Sequence, residues 1–269
     1  MNNFLFLFVF ATLFSCTNNS STSSISKQMI KEETVSYTAD SVKLNGFLAY
    51  DSNLSTKLPV VMVIHEWWGL NDNIRNKVRE LAKLGYLALA VDMYGEGKTA
   101  ANPEDAGKLA IPFYTNTAMA KSRFDAALAK VKASPIADTS RIAATGYCFG
   151  GAMVLNMARL GEDLKGVVSF HGNLVGVPAD KKLLKAKVLV CHGADDQFVK
   201  PEEVALFKKQ MDSIGADYTF KSYAGATHAF TNRGATETGQ KFKMPIAYNA
   251  VADSSSWKDM REFLGQIFK

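Results

Sequence analysis

The chain has 269 residues, of which 47% are hydrophobic, and a formal net charge of +5 from 31 Lys and Arg against 26 Asp and Glu. This length and apolar content suffice for one doubly wound α/β domain with its own core. Charges of both signs are interspersed along the predicted helices, which excludes a nucleic-acid-binding protein with a continuous basic face.

The first 26 residues contain no charged side chain. Residues 4–14 form an apolar run that is short for a bilayer span and is typical of the hydrophobic part of a signal peptide. Leu13-Phe14-Ser15-Cys16 resembles a bacterial lipobox, and residues 17–26 are rich in Ser, Thr and Asn, as in a flexible tether.

From this pattern we predict a lipoprotein-type signal peptide over residues 1–15, lipidation of Cys16 and a tether over residues 16–34. The protein would then be exported and anchored to a bacterial membrane through its N-terminal lipid alone. A soluble secreted or periplasmic protein is the alternative, because Phe14 is bulky for a lipobox and no Lys or Arg precedes the apolar run. A buried N-terminal strand is a third, more remote interpretation.

Residues 35–269 alternate between strand and helix signals, which favours one α/β domain on a mostly parallel, doubly wound sheet, preceded by an antiparallel hairpin. The long connection after the second parallel strand has two interpretations, a pocket cover or a plain surface excursion. The predicted elements are a hairpin (35–37, 44–50), strand 59–64, helix 73–84, strand 87–91, a connection with a short helix (94–117), helix 118–132, strand 141–145, a helix after residue 151, strands 166–170 and 187–191, helix 202–214, strand 218–223 and helix 254–268.

Gly146-Tyr147-Cys148-Phe149-Gly150-Gly151 stands between a predicted strand and a predicted helix. Strand, glycine-flanked turn and helix are the setting of a nucleophile elbow, here with Cys at the central place. The thiol of Cys148 would lie at a helix N-terminus, where backbone N–H groups favour a thiolate and a developing oxyanion. A buried core cysteine between loop glycines is the alternative interpretation.

An acid and a base follow in the chain order of a nucleophile–acid–base triad. Asp196 comes after the predicted strand 187–191, and His228 comes after the predicted strand 218–223. The thiolate attacks a carbonyl, the imidazole moves protons, and the carboxylate fixes the imidazole tautomer. Asp196 alone could be a loop turn or helix cap, with Asp195 as the competing acid, and His228 alone could be an ordinary loop histidine.

Four motifs together resemble those of the dienelactone hydrolase family, the carboxymethylenebutenolidases, over about residues 35–268. The motifs are Gly146-Tyr147-Cys148-Phe149-Gly150-Gly151, Asp196-Gln197-Phe198-Val199, Gly225-Ala226-Thr227-His228-Ala229-Phe230 and His65-Glu66-Trp67-Trp68-Gly69, the last followed by Ile74-Arg75 and Val91-Asp92-Met93-Tyr94. The resemblance implies an α/β-hydrolase fold, hydrolysis of lactones or esters by a Cys-His-Asp triad, and no cofactor. We prefer Asp196 to Asp195 because Asp196 matches the family motif.

The resemblance also implies roles for Glu66 and for two backbone amides. In the resting family enzyme the matching carboxylate holds the thiol until substrate displaces it. Glu66 ends a strongly apolar strand, where a charge is costly unless it is paired or at a pocket mouth, although a solvated loop carboxylate is the alternative. The oxyanion-hole donors would be Phe149, which also follows from the elbow geometry, and Trp67, which follows from the resemblance alone.

The chain departs from the family at the substrate carboxylate. Family members that act on dienelactone carry one arginine soon after the Asp-x-Tyr motif and another a few residues after the histidine. The nearest cations here are Lys98 and Arg233, and lysine is a point charge without the arginine fork. We keep Lys98, Arg233, Trp68 and Tyr94 as candidate substrate-binding residues, and a related ester, lactone or thioester is as good a candidate substrate as dienelactone.

The predicted function is therefore a hydrolase for a small lactone or ester. The alternatives are a thioesterase, a broad carboxylesterase or a peptidase-like hydrolase on the same fold, and a non-catalytic binding lipoprotein, which would not need all three triad residues. Cys191 lies in an apolar strand and is predicted to be a core residue without a disulfide. His65, His171 and His192 are predicted to be structural or pocket-lining, and no Cys/His spacing predicts a zinc site. We expect a monomer that acts on a small molecule.

Overall fold

The computed structural model describes Met1 and residues 28–269. Except for Met1, the predicted signal peptide lies outside these residues, as do Cys16 and the tether up to residue 27. The elements are β1 (Ile30–Ala39), β2 (Val42–Asp51), β3 (Leu58–Ile64), α1 (Asp72–Lys83), β4 (Leu87–Val91), α2 (Pro103–Thr115), α3 (Thr117–Lys132), β5 (Ala137–Tyr147), α4 (Phe149–Arg159), β6 (Gly166–Phe170), β7 (Lys187–Gly193), α5 (Pro201–Ile214), β8 (Tyr218–Tyr223), α6 (Ala235–Phe242) and α7 (Ala250–Ile267).

All eight strands belong to one sheet in the order β1-β2-β4-β3-β5-β6-β7-β8. β1 and β2 pair antiparallel, β2 pairs antiparallel with β4, and the strands from β3 to β8 run parallel. The central strands are apolar along their whole length because both faces of a parallel sheet are covered. The predicted fold class, an α/β-hydrolase fold with an N-terminal antiparallel hairpin, is confirmed.

Helices cover both faces of the sheet. Alternate residues of β3 point to opposite layers: Met62 belongs to the core beneath α2, α3, α4 and α5, and Val63 to the core beneath α1 and α7. α4 is buried along its whole length, because it lies against the central strands. None of the helices among residues 28–269 combines the length and apolar character of a membrane span.

The structure corrects some predicted boundaries. β1 begins at Ile30, so residues 30–34, assigned to the tether from the sequence, belong to the sheet. The connection 94–117 contains α2, a helix of 13 residues that contributes Ala110 and Phe113 to the core.

One helix, α6, was not predicted. Its buried residues are the small Ala235 and Gly239, which give no apolar periodicity. A Cβ on Gly239 would lie 2.4 Å from the carbonyl oxygen of Ile246, so close backbone packing holds this helix in place.

Candidate active site

Cys148 lies in a strained turn between β5 and α4, with φ 54° and ψ −116°. A positive φ in a non-glycine residue costs about 1–3 kcal/mol and persists only where the surroundings impose it. Here the surroundings are crowded backbone: a Cβ on Gly146 would lie 2.0 Å from the carbonyl oxygen of Gly150, and one on Gly150 would lie 2.2 Å from that of Ile64. The turn therefore presents a half-buried thiol at the N-terminus of α4, as the glycine pattern predicts.

Asp196 and His228 meet at the same edge of the sheet. His228 Nδ1 lies 2.9 Å from Asp196 Oδ2, although the two residues are 32 positions apart in the chain. Asp196 Oδ1 accepts hydrogen bonds from the backbone N–H groups of Phe198 at 2.8 Å and Val199 at 3.3 Å, which fix the carboxylate. Asp195, the competing acid, is exposed, so the geometry selects Asp196.

His228 is buried beside Cys148 in the same cavity. Burial alone lowers the pKa of His228, but its interactions with Cys148 and the hydrogen bond with Asp196 outweigh burial and raise the pKa to about 10. At neutral pH the imidazole is therefore held in its charged form between the sulfur and the carboxylate.

Glu66 is buried in the wall of this cavity, with 1% of its surface exposed. Its Oε2 accepts hydrogen bonds from Asn232 Nδ2 at 2.8 Å and Asn73 Nδ2 at 3.1 Å. Burial raises the pKa of Glu66, while the two amides and the positive charges of His228 and Lys77 counteract that rise.

The resemblance implies that this carboxylate holds the resting thiol, and that role remains a prediction. Within residues 28–269, the hydrogen bonds of the Glu66 side chain go to Asn73 and Asn232, and none joins it to Cys148. Two amide donors on one oxygen fix the position of the carboxylate in the cavity wall. The two asparagines were not singled out from the sequence, because they lie in separate loops and belong to no spacing pattern.

The two predicted oxyanion-hole residues lie beside Cys148. Phe149 is the first residue of α4, and Trp67 stands in the turn after β3 and lines the cavity. Neither backbone N–H donates a hydrogen bond to another residue of the described chain. The Trp67 carbonyl accepts a hydrogen bond from the hydroxyl of Tyr94 at 3.0 Å, which ties this turn to the end of β4.

A cavity of about 190 Å³ opens above Cys148. We call this space the Cys148 cavity. Its wall is formed mainly by apolar and aromatic side chains together with the polar site residues. They are Glu66, Trp67, Trp68, Ala110, Tyr114, Cys148, Asn173, Phe198, His228, Ala229, Met244 and Ile246.

Of the four candidate substrate-binding residues, only Trp68 lines the Cys148 cavity. Tyr94 is buried beneath it and contacts the Trp67 carbonyl instead. Lys98 is exposed and lies 3.4 Å from Glu96, and Arg233 is exposed next to Tyr248. Both cations are candidates because they stand nearest to the positions of the family's two arginines, but both are exposed and neither lines the cavity.

His171 contacts the turn at Cys148 directly. Its Nδ1 lies 3.1 Å from the backbone N–H of Cys148, which also donates to the Phe170 carbonyl at 2.9 Å. Because Nδ1 accepts, Nε2 carries the proton and donates to Thr231 Oγ1 at 2.8 Å. Burial and the nearby charge of His228 keep the pKa of His171 well below its usual value, so this second ring is neutral.

The sequence contains one signal for this contact. His171 immediately follows β6, and its neighbour in the sheet, β5, ends beside Cys148. Side chains at the carboxyl ends of adjacent parallel strands meet at one edge of the sheet, so a histidine there is placed next to the thiol.

Comparison with known proteins identifies the family of this chain. The model of the dienelactone hydrolase family matches residues 44–268. Protein usf of Aquifex pyrophilus is 31% identical over 220 residues, covering 80% of this chain and 94% of that protein. A Methylorubrum extorquens protein that carries the name of a carboxymethylenebutenolidase is 33% identical over 223 residues, covering 77% of this chain and 72% of that protein.

Two solved structures are similar along almost their whole length. One, m3DLH, has a TM-score of 0.84 and 34% identity, with 89% of this chain and 99% of that chain covered. Another is P91, a dienelactone hydrolase-like promiscuous phosphotriesterase from metagenomic libraries, with a TM-score of 0.83, 32% identity and the same coverage of both chains. Fold, motifs and matched length therefore agree: this chain belongs to the dienelactone hydrolase family.

Proposed function

We propose that the protein hydrolyses small, uncharged carboxylic esters or lactones through an acyl-enzyme on Cys148. Membership of the dienelactone hydrolase family makes the chain a carboxylic ester hydrolase. The observation that carries the finer proposal is the hydrogen bond between Asp196 and His228, with the imidazole beside the thiol of Cys148 in one cavity.

The charges in the site support the following steps. The thiolate of Cys148 attacks the substrate carbonyl carbon, and the resulting oxyanion is stabilised by the backbone N–H groups of Phe149 and Trp67. The His228 imidazolium donates its proton to the leaving alkoxide, the carbon–oxygen bond breaks, and a thioester remains. Neutral His228 then takes a proton from water as the hydroxide attacks the thioester, and the acid and the thiolate are released.

The wall of the Cys148 cavity supports a neutral acyl group. Within the described chain no Lys or Arg side chain lines it, and its one carboxylate, Glu66, would repel a substrate anion. Its volume of about 190 Å³ exceeds that of an apolar cavity of about 150 Å³ that accommodates benzene. A group the size of an aromatic ring fits, whereas a free carboxylate of the dienelactone kind would find no Lys or Arg in the wall and would compete with Cys148 and Asp196 for His228.

The decisive experiment compares 4-nitrophenyl acetate with 4-nitrophenyl hemisuccinate, whose acyl group ends in a carboxylate. We expect turnover of the acetate and mass-spectrometric capture of an acetyl group on Cys148 after acid quenching. We expect the hemisuccinate to have a kcat/KM at least about tenfold lower than the acetate, because its carboxylate must lose its water without gaining a Lys or Arg partner. Equal rates would refute the neutral substrate class, and turnover without any adduct on Cys148 would refute the acyl-enzyme.

A second candidate activity is hydrolysis of neutral phosphotriesters. P91 is described as a promiscuous phosphotriesterase, and its structure matches 89% of the length of this chain. A phosphotriester carries no charge, which suits a cavity wall that contains no Lys or Arg side chain among the described residues. Release of 4-nitrophenol from paraoxon with a phosphoryl adduct on Cys148 would support this activity, and release that persists in Cys148→Ala would contradict it.

We also propose that the protein is an exported lipoprotein anchored at Cys16, because the composition of residues 1–26 is typical of a lipoprotein signal peptide and tether. Full-length protein made in a bacterial host should partition with membranes, and Cys16→Ala should release it. An unmodified N-terminus beyond Cys16 in mass spectrometry would favour the soluble secreted form. The monomer remains a prediction.

A further inference from the structure

We propose that the leaving group of the substrate is a polyol, such as a sugar, and that it binds in a cleft beside the Cys148 cavity; this inference rests on the proposed ester hydrolysis. The cleft has a volume of about 760 Å³, four times that of the cavity itself. Tyr114 and Asn173 line both spaces, and the Tyr114 hydroxyl donates to Asn173 Oδ1 at 3.3 Å. A substrate whose acyl group occupies the cavity can therefore extend past this pair into what we call the side cleft.

The side cleft presents hydrogen-bonding atoms that have no partner within the described chain. Asn156 is 2% exposed, and its Oδ1 accepts the backbone N–H of Val177 at 2.9 Å, but its Nδ2 donates to no described residue. The Thr117 hydroxyl, at the start of α3, likewise has no partner among residues 28–269. Both groups line the side cleft and are free to bond to a ligand there, so a ligand that pairs with them gains affinity.

Glu203 adds a strong acceptor. One of its oxygens, Oε1, accepts the backbone N–H groups of Leu174 and Val175, which leaves Oε2 without a partner in the described part of the chain. The side cleft thus offers one carboxylate, one hydroxyl, two amides and a phenol. Hydroxyl groups both donate and accept, so a polyol can satisfy this mixture.

Charge narrows the class of leaving group. Within the described residues no Lys or Arg side chain lines the side cleft, while Glu203 contributes a negative charge. A phosphorylated leaving group would meet repulsion there without a compensating cation. A purely apolar alcohol would bury the Asn156 amide and the Thr117 hydroxyl without partners, and a site built to hydrogen-bond a hydroxyl group rejects an analogue that lacks it.

The experiment compares leaving groups on one acyl group. Initial rates are measured for ethyl acetate, 6-O-acetylglucose and acetylcholine, each normalised to its alkaline hydrolysis rate. We expect kcat/KM for the sugar ester to exceed that of the ethyl ester by about tenfold or more, as for two or more added hydrogen bonds. Equal values, or a preference for the cationic choline ester, would overturn the inference.

Variants locate the preference in the side cleft. Thr117→Val removes a hydroxyl, Glu203→Gln keeps Oε1 for the backbone while removing the charge, and Asn156→Asp keeps Oδ1 but removes the Nδ2 donor. Each should lower kcat/KM for the sugar ester about three- to tenfold, mainly through KM, and leave the ethyl ester unchanged. Thr115→Val is the matched control, because the Thr115 hydroxyl bonds to the carbonyls of Ile111 and Pro112 at the end of α2.

Parallel losses on both esters in every variant would contradict the assignment. Failure of the proposed function has a different signature: the normal protein would hydrolyse none of the three esters faster than Cys148→Ala. The two hypotheses can therefore fail separately.

Discussion

Two cysteines stand near the carboxyl ends of parallel strands, and their surroundings are opposite. Cys148 lies just beyond β5, at a positive φ, half-buried and next to a charged His228. Cys191 lies inside β7 and is completely buried; burial raises the pKa of its thiol to about 12, and the Tyr223 hydroxyl lies 3.5 Å from its sulfur. The surroundings of the two thiols differ because β5 ends just before Cys148, whereas β7 continues past Cys191 to Gly193.

The strongest test of this contrast is to remove each sulfur in turn. We expect Cys148→Ala to lower kcat on 4-nitrophenyl acetate by at least about a thousandfold, the scale of losing a nucleophile. Cys191→Ala should leave kcat within about twofold, because it changes only core packing. Circular dichroism confirms folding of both variants, and equal losses in two folded variants would remove the distinction between the thiols.

The second test is the charge of His228. Because its pKa is raised to about 10, the imidazolium should persist through neutral pH, and kcat/KM should decline only as pH rises through that value and the proton donor is lost. In Cys148→Ala the interaction with the sulfur is gone while burial still lowers the pKa of His228, so this pKa should fall by more than about one unit, or 1.4 kcal/mol. Side-chain ¹⁵N NMR follows the titration, with Cys191→Ala as the control, and an unchanged pKa in Cys148→Ala would show that the sulfur carries no charge.

The third test concerns His171, which accepts the backbone N–H of Cys148. His171→Leu should slow alkylation of Cys148 by iodoacetamide about tenfold, the scale of one lost hydrogen bond in a buried site. His171→Asn should restore most of the rate, because asparagine supplies an acceptor and tolerates the positive φ of 40° found here. Buried Cys191 is the internal reference in the mass spectra, and an Asn variant no faster than the Leu variant would reduce His171 to a packing residue.

The smallest effect is expected at Glu66. Since its carboxylate is bonded to Asn73 and Asn232, Glu66→Gln should change the alkylation rate of Cys148 less than about threefold, the scale of a weak charge interaction. A carboxylate that holds the resting thiol, as the resemblance implies, would instead give a large increase when its charge is removed. A tenfold increase would therefore show that Glu66 reaches the sulfur and would restore the gating role.

Sequence alone predicted the features that repeat along the chain or obey chain order. The apolar strands, the glycine-flanked turn at Cys148 and the placement of Asp196 and His228 after β7 and β8 follow from local patterns, and the structure has each of them. Lys98 and Arg233 show the limit, because distance along a loop does not determine which way a side chain points.

The asparagine partners of Glu66 and the side cleft could not be predicted for a related reason. Asn73 and Asn232 are 159 positions apart and meet only through tertiary folding. The three helices and the loop that surround Asn156 are likewise brought together only by tertiary folding. Neutral polar residues carry no periodicity, so their function becomes visible only when their partners, or the lack of them, are known.

The crowding around Gly146 and Gly150 has a consequence for laboratory evolution of this protein. With backbone atoms only 2.0–2.2 Å from where a Cβ would stand, neither position can accept a side chain without dismantling the turn. Selection for new substrates is therefore confined to exchanging Cys148 itself or reshaping the wall above it, at positions such as Trp68, Met244 and Ile246. Backbone packing fixes the turn beneath the cavity, so changes in substrate specificity must come from the side chains that line the cavity.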